Sequence, residues 1–233
     1  MKIIKAVIEY NPYGCLLQAE NYPGAFSRSK SIDDAIKKIK DDVIKYIIWS
    51  NCEALENDYT IEPKKLIESV LNVHDADSDV IFDSEKEPLS YEEYIPLKNL
   101  AIKSASDFQA LYNSISDKAL LLRQPRKTFY GAIPNTANEM YSHTNNVTSY
   151  YMKEIGVDAM NMPDIISSRI EAFSVLEKTA VFPADKVFRG SYDEYWSLKK
   201  VLRRFILHDR IHGKAMFRAA KELSLSPSNP FNF

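Results

Sequence analysis

SYDEYWSLKKVLRRFILHDRIHGKAMFRAA, residues 191–220, decides how this chain is read. Within it Leu198, Val201, Phe205, His208, His212, Ala215 and Ala219 recur at steps of three and four, the pattern of a helix face turned inward. Ser191 and Glu194 have the spacing of a capping box, so the helix is expected to begin at Ser191 and to run to about Leu223. His208 and His212, four residues apart, share one face of it. Residues 139–156, EMYSHTNNVTSYYMKEIG, show a second inward seam in Met140, His143, Val147 and Tyr150, and it carries a third histidine.

Two more helical patterns complete the C-terminal half. Phe108, Leu111, Ile115, Ala119 and Leu122 form a stripe that stops before Pro125, and a helix over 164–178 has Pro163 suited to its first turn and Pro183 beyond its end. The His143 helix is expected over 136–155, stopped by Gly156. Four amphipathic helices in one unit predict a four-helix bundle, with structured connections at 125–135 and 179–190.

The N-terminal half reads differently. Residues 3–9 are β-branched and apolar, NPYG at 11–14 makes a turn, and 15–19 return as a second strand. YPG at 22–24 leads to a short strand near 25–28. Ser31 then caps a helix striped by Ile32, Ala35, Ile36, Ile39, Val43, Tyr46 and Ile47, with Asp33 and Asp34 at its positive end. DVIFD at 79–83 reads as a fourth strand, giving the order β-β-β-α-β. The fold class is therefore α+β: a small layer over 1–95, then an all-α bundle over 104–233, with the boundary in KEPLSYEEYIPLKNLAIK at 86–103. Charge supports two units, since residues 1–103 hold 13 Lys/Arg against 19 Asp/Glu, a balance of −6, and the remainder holds 17 against 13, or +4.

Composition narrows the function. The chain has 233 residues, 45% hydrophobic and 27% charged, which excludes disorder and low complexity. A net charge of −2 gives no reason to expect nucleic acid, and nothing resembles a membrane span or a signal peptide. Cys15 and Cys52 are too few for a disulfide scaffold, and the expectation is a reducing, cytoplasmic setting in which both are packing residues.

Only four histidines are present, and His74 sits in an acidic loop. His143, His208 and His212 are the candidate metal ligands. Three neutral imidazoles suit zinc, nickel, iron or copper and leave coordination positions open for a small-molecule substrate, water or thiol. Asn146 and Tyr150 are candidate polar neighbours, and Asp209 is a candidate acceptor for a ligand imidazole N–H. Arg203, Arg204 and Arg210 are candidates to attract carboxylates, against the reading that they line a charged outer face. HDRIH also lies one residue from the zinc-peptidase pattern, with Asp209 in place of the general-base glutamate and Glu222 as the available downstream acid. Paired Glu-x-x-His motifs for a di-iron centre are missing.

Residues 139–156 together with 191–220 resemble the DinB/YfiT-like superfamily of metal-binding four-helix bundles over about 104–225. The resemblance implies His143, His208 and His212 as the ligands of a divalent metal, zinc or nickel first. It also implies a homodimer and an activity such as S-transfer or isomerisation with a low-molecular-weight thiol. Residues 14–47, GCLLQAENYPGAFSRSKSIDDAIKKIKDDVIKYI, resemble the HicB-type antitoxin module over about 4–85. That implies a protein partner for the N-terminal layer and, as the alternative function, a non-catalytic metal-binding regulatory protein.

Overall fold

The computed structural model describes residues 1–56, 58–124, 127–128, 131–179, 182 and 186–233. Pro125 and Pro183 lie outside them. The chain is α+β and divides into two compact units, one of Met1–Phe82 with Phe231–Phe233 and one of Asp83–Pro230. No helix is long and apolar enough to cross a membrane among the described residues.

The first unit is a four-stranded sheet with one helix. β1 (Lys2–Asn11) and β2 (Gly14–Ala19) form an antiparallel hairpin, β3 (Phe26–Ser29) adds to β2, and α1 (Ile32–Ser50) follows. Gly14 is required at the hairpin because a Cβ there would stand 2.7 Å from the Ser29 carbonyl oxygen. Ser31 caps α1 by accepting from the Asp34 N–H, and Ala35, Ile39, Val43, Tyr46 and Ile47 are buried as their spacing requires.

The fourth strand is not where the alternation placed it. β4 is Tyr59–Glu68, at the sheet edge in the order β3-β2-β1-β4 and parallel to β1. Pro63 and the pair Lys64–Lys65 break its alternation, and the register shifts beside Ala6 and Val7 because Lys64 is an extra residue. Residues 79–82 form no strand, and Asp83–Glu85 is a single 3₁₀ turn. Val80 and Phe82 nevertheless alternate inward, packing with Val7 and Ile67 against the sheet. The period of two was therefore a true burial signal without a ladder behind it.

The second unit holds four helices: α2 (Tyr91–Ser114), α3 (Ala137–Glu154), α4 (Ile165–Leu176) and α5 (Leu198–Glu222). α2 packs on α4 and α5, and α3 packs on the same two, so the helices enclose one core. Two short hairpins lie between them, β5 (Lys127–Thr128) with β6 (Gly131–Ala132) and β7 (Phe188–Arg189) with β8 (Tyr195–Trp196).

Two helix starts differ from expectation. α2 begins at a capping box of Ser90 and Glu93, tolerates Pro96 in its second turn, and ends at Ser114. It thus occupies most of 86–103, the stretch read as the division, while the compact units part at Phe82 and Asp83. α5 begins at Ser197, whose side chain accepts from the Lys200 N–H. Ser191–Asp193 is a 3₁₀ turn with Tyr192 and Asp193 at φ 58° and 61°. The capping box there fails because the Ser191 N–H goes to Glu154 at 2.6 Å and the Glu194 carboxylate goes to Lys200. By contrast, α3 and α4 start at Thr136 and Asp164 as caps, and Gly156 closes α3 at φ +78°.

Gly190 makes this turn compact. A Cβ on it would fall 1.8 Å from Glu154 Oε2 and 2.7 Å from Trp196 Cδ1. Gly190→Ala is expected to expel Glu154 from Ser191 and to cost about 1–3 kcal/mol, a typical overpacking penalty. Denaturant unfolding followed by Trp196 fluorescence checks it, and a loss below about 0.5 kcal/mol would contradict it.

Candidate metal centre

α3 and α5 bring the three seam histidines together. His143 is one and a half turns into α3, and His208 and His212 project from successive turns of α5. One ring nitrogen from each lies within 4.8 Å of the others, and the ring centroids are 4.5–4.9 Å apart. His143 Nε2 and His208 Nε2 stand 3.1 Å apart, one ring donating to the other. Metal–nitrogen bonds of about 2.0–2.1 Å in tetrahedral geometry separate two nitrogens by roughly 3.4 Å. The observed spacing brackets that value.

The seams do not run to a closed interior at this point. His143 is exposed, and His208 and His212 are half-buried, so the cluster opens to solvent at the α3 side. Burial holds the His208 imidazole well below the ordinary histidine range, helped by the neighbouring His212 and His143 and by Arg204 and Arg169. Burial also lowers His143. Both effects favour neutral imidazole, the form that ligates metal.

Tyr151 forms the wall behind His208. Its ring meets His208 edge-on at 6.1 Å and packs on Trp196 at 5.2 Å and Phe205 at 5.6 Å. Beneath it lies a buried ion pair in which Arg169 Nη2 donates to Asp209 Oδ1 at 3.1 Å, with both side chains fully buried. The Arg169 guanidinium also stacks over Phe205 at 3.7 Å. Burial pushes the Asp209 carboxyl up to about 6, and Arg169 pulls against that rise.

These contacts reassign several candidate residues. Asp209 serves Arg169 and makes no hydrogen bond to His208, whose Nδ1 is buried without a partner among the described residues. Because both carboxylate oxygens are enclosed, Asp209 has no access to an attacking water, and Glu222 lies ten residues beyond His212, about 15 Å along the helix. The peptidase-like arrangement is therefore not formed. Arg203 and Arg210 do not line an outer face: Arg203 binds Glu85 and both are buried. Arg204 is half-buried, with its guanidinium carbon 5.4 Å from the Tyr151 ring centre. Asn146 is exposed, and its backbone carbonyl accepts from Asn161. Tyr150 leans edge-on against Trp196 at 6.3 Å. Cys15 is buried and Cys52 exposed, and both are free thiols.

Arg169 and Tyr151 were missed from sequence, although Arg169 occupies an inward position among Ile165, Ala172, Phe173 and Leu176, where a charge signals a buried partner.

Lys200, two turns before His208, is a further buried cation. It bonds Glu194 at 2.8 Å and the Tyr195 carbonyl at 2.7 Å, and it lies 4.6 Å over the Trp196 ring. Burial lowers its pKa from 10.5 to about 8, against the pull of Glu194. Between those values the unfolded chain binds more protons than the folded one, so this group makes stability rise with pH. Tyr22, Tyr94 and Tyr150 are held above the ordinary tyrosine range by burial, and reverse the trend above about pH 10. Burial also raises the Cys15 thiol, which offsets the rise above about pH 9, so stability is expected to climb from pH 8 to about 9 and Lys200→Met to flatten that climb in urea titrations. A flat wild-type profile would contradict it.

An α+β chain with a solvent-open three-histidine cluster is thus the class that fold and site define. No family model matches the chain, and no curated protein or solved structure matches it.

Proposed function

We propose that His143, His208 and His212 hold one divalent transition metal, zinc or nickel, and that the chain is a metal-dependent enzyme of the DinB/YfiT-like type acting on a small molecule with a low-molecular-weight thiol. The observation that carries this reading is the convergence of three imidazoles from two helices within 4.8 Å, with His143 exposed. A structural zinc site is closed by four protein ligands, whereas three leave room for a reactant. Bound there, a divalent ion would supply Lewis acidity that lowers the pKa of a thiol or water.

The chain's own groups give the rest. His208, kept neutral by burial, and His212 are fixed by the helix, the exposed side of His143 is the route for a reactant, and Tyr151 with Trp196 forms the wall behind His208. In the S-transfer reading, the thiolate sulfur attacks an electrophilic carbon and the leaving group departs with its bonding pair, so the thiol proton is the only one released. A screen of bacillithiol, coenzyme A, glutathione and cysteine against a model electrophile tests it. Turnover that disappears in His208→Ala supports the enzyme, and no turnover with any thiol would contradict it.

A second reading is a regulatory protein whose HicB-like N-terminal layer binds a protein partner, with the metal structural. The separateness of the first unit favours it, because that unit completes its own core, with Phe231 packing on Trp49 at 5.4 Å. A partner captured by the full chain with no thiol turnover would support this reading. Such a protein, like the enzyme, would act in the cytoplasm and as a homodimer.

A further inference from the structure

A second concave surface lies farther along α3. Residues 158–161 fold back beside the C-terminal half of that helix and leave a cleft of about 330 Å³, within the size range of small-molecule pockets. The loop that makes it is pinned at several points. The Val157 N–H bonds the Met152 carbonyl at 3.0 Å, the Asn161 side chain accepts from the Ser149 N–H at 2.9 Å, and the Asn145 amide donates to the Met162 carbonyl at 2.9 Å. These bonds shape the cleft without a ligand, so little ordering is left for binding to impose.

The lining combines an apolar wall with two opposite charges. Tyr150, Ala159 and Met160 supply the wall, and Lys153 and Asp158 supply the charges. Neither Lys153 nor Asp158 takes part in an ion pair or a side-chain hydrogen bond among the described residues, although both line the same cleft. Glu154, the acid next to Lys153, is buried and accepts from the Ser191 N–H at 2.6 Å, so it is committed elsewhere. Lys153 stands in the last turn of α3, where the helix carbonyls favour a cation. An uncommitted ammonium, an uncommitted carboxylate and an apolar wall together complement a molecule that carries both charges and an apolar chain.

We infer that this cleft binds the α-amino acid group of a small molecule, with Lys153 taking the carboxylate, Asp158 the ammonium, and Tyr150 and Met160 the apolar side chain. The site is separate from the histidine cluster. His143, Asn146, Tyr150 and Lys153 follow one another on the exposed side of α3 at steps of three and four. Tyr150 is thus about 10 Å and Lys153 about 15 Å along the helix from His143. The inference goes beyond the thiol-dependent reading and stands without a metal or a thiol.

The test follows the backbone amides of the full chain by NMR during titration with L-norleucine, hexanoate and pentylamine. The three share an alkyl chain and differ in carrying both charges, the carboxylate alone or the ammonium alone. Norleucine is expected to shift the amides of residues 149–161 saturably, with a Kd on the order of 1 mM, and to bind about 5-fold more tightly than either single-charge analogue. Lys153→Met is expected to reduce norleucine to the affinity of pentylamine, and Asp158→Asn to reduce it to that of hexanoate. Both positions are exposed, so the unfolding midpoint should stay at the wild-type value in each variant. No saturable shift with norleucine, shifts centred outside 149–161, or equal affinities for the three probes would overturn the inference. So would a preference for norleucine that either variant leaves intact.

Discussion

Saturation with zinc or nickel is expected to raise the unfolding midpoint of the helical unit by on the order of 10 °C, and His208→Ala to abolish the rise. An ion that binds only the folded state at a thousandfold excess over its dissociation constant contributes about 4 kcal/mol. In a unit the size of residues 83–230 each kcal/mol moves the midpoint by about 2–4 °C. His208 is the proposed ligand whose loss should matter most, since its Nε2 lies 3.1 Å from His143 Nε2 and the residue is one turn from His212. Its removal leaves one proposed ligand on each helix, a two-imidazole set expected to bind an ion far more weakly. The two tryptophans allow a clean readout, with Trp49 in the first unit and Trp196 in the second. In a Trp49→Phe background, fluorescence follows the helical unit alone. A midpoint that rises equally in wild type and His208→Ala would contradict the assignment.

Asp209→Ala is expected to destabilise the same unit by about 3–5 kcal/mol. Total stabilities of single domains are about 5–15 kcal/mol, so this loss is large enough to leave part of the population unfolded at 37 °C. The cause is Arg169, whose charge would remain fully buried after its carboxylate is gone. Stacking over Phe205 at 3.7 Å offsets only part of that cost. Replacing both members, as Arg169→Met with Asp209→Leu, is expected to restore stability to within about 1 kcal/mol of wild type, because a buried pair is worth little over apolar packing. The double variant should keep its metal, since neither residue touches a ligand nitrogen. A single-variant loss below about 1 kcal/mol, measured by urea denaturation, would contradict the ion pair's role.

Much of the helical half was legible because different signals coincided. At α3, Thr136 and Glu139 form the capping box just where the seam of Met140 and His143 begins, and Gly156 ends it. α1 and α4 are similarly marked by Ser31 and Asp164. Where one signal stood alone, it misled. Ser191 and Glu194 have the spacing of a cap, but their groups are taken by Glu154 and Lys200, partners 37 and 6 residues away. β4 was hidden because an edge strand tolerates Pro63 and two lysines that a central strand would not. Val80 and Phe82 looked like a strand because a segment lying on a sheet also alternates inward and outward.

The candidate site divides along the same line. Periodicity on α3 and α5 was enough to place three histidines on facing seams, since helix geometry alone brings i and i+4 to one face. Which charged residues surround them was not readable, because that depends on contacts between distant positions. Asp209 meets Arg169 across 40 residues and Arg203 meets Glu85 across 118. Those two pairings turned Asp209 from a candidate base into a buried counter-ion and removed Arg203 from the substrate side.

The central claim is the metal centre, and the most direct measurement is metal stoichiometry with X-ray absorption on the full chain, purified without chelator and then titrated with zinc and with nickel. One ion per chain bound by three imidazole nitrogens at about 2.0–2.1 Å is the predicted result, together with loss of binding in a His143→Ala, His208→Ala, His212→Ala triple variant. No stoichiometric binding of either metal, or equal binding by the triple variant, would contradict it.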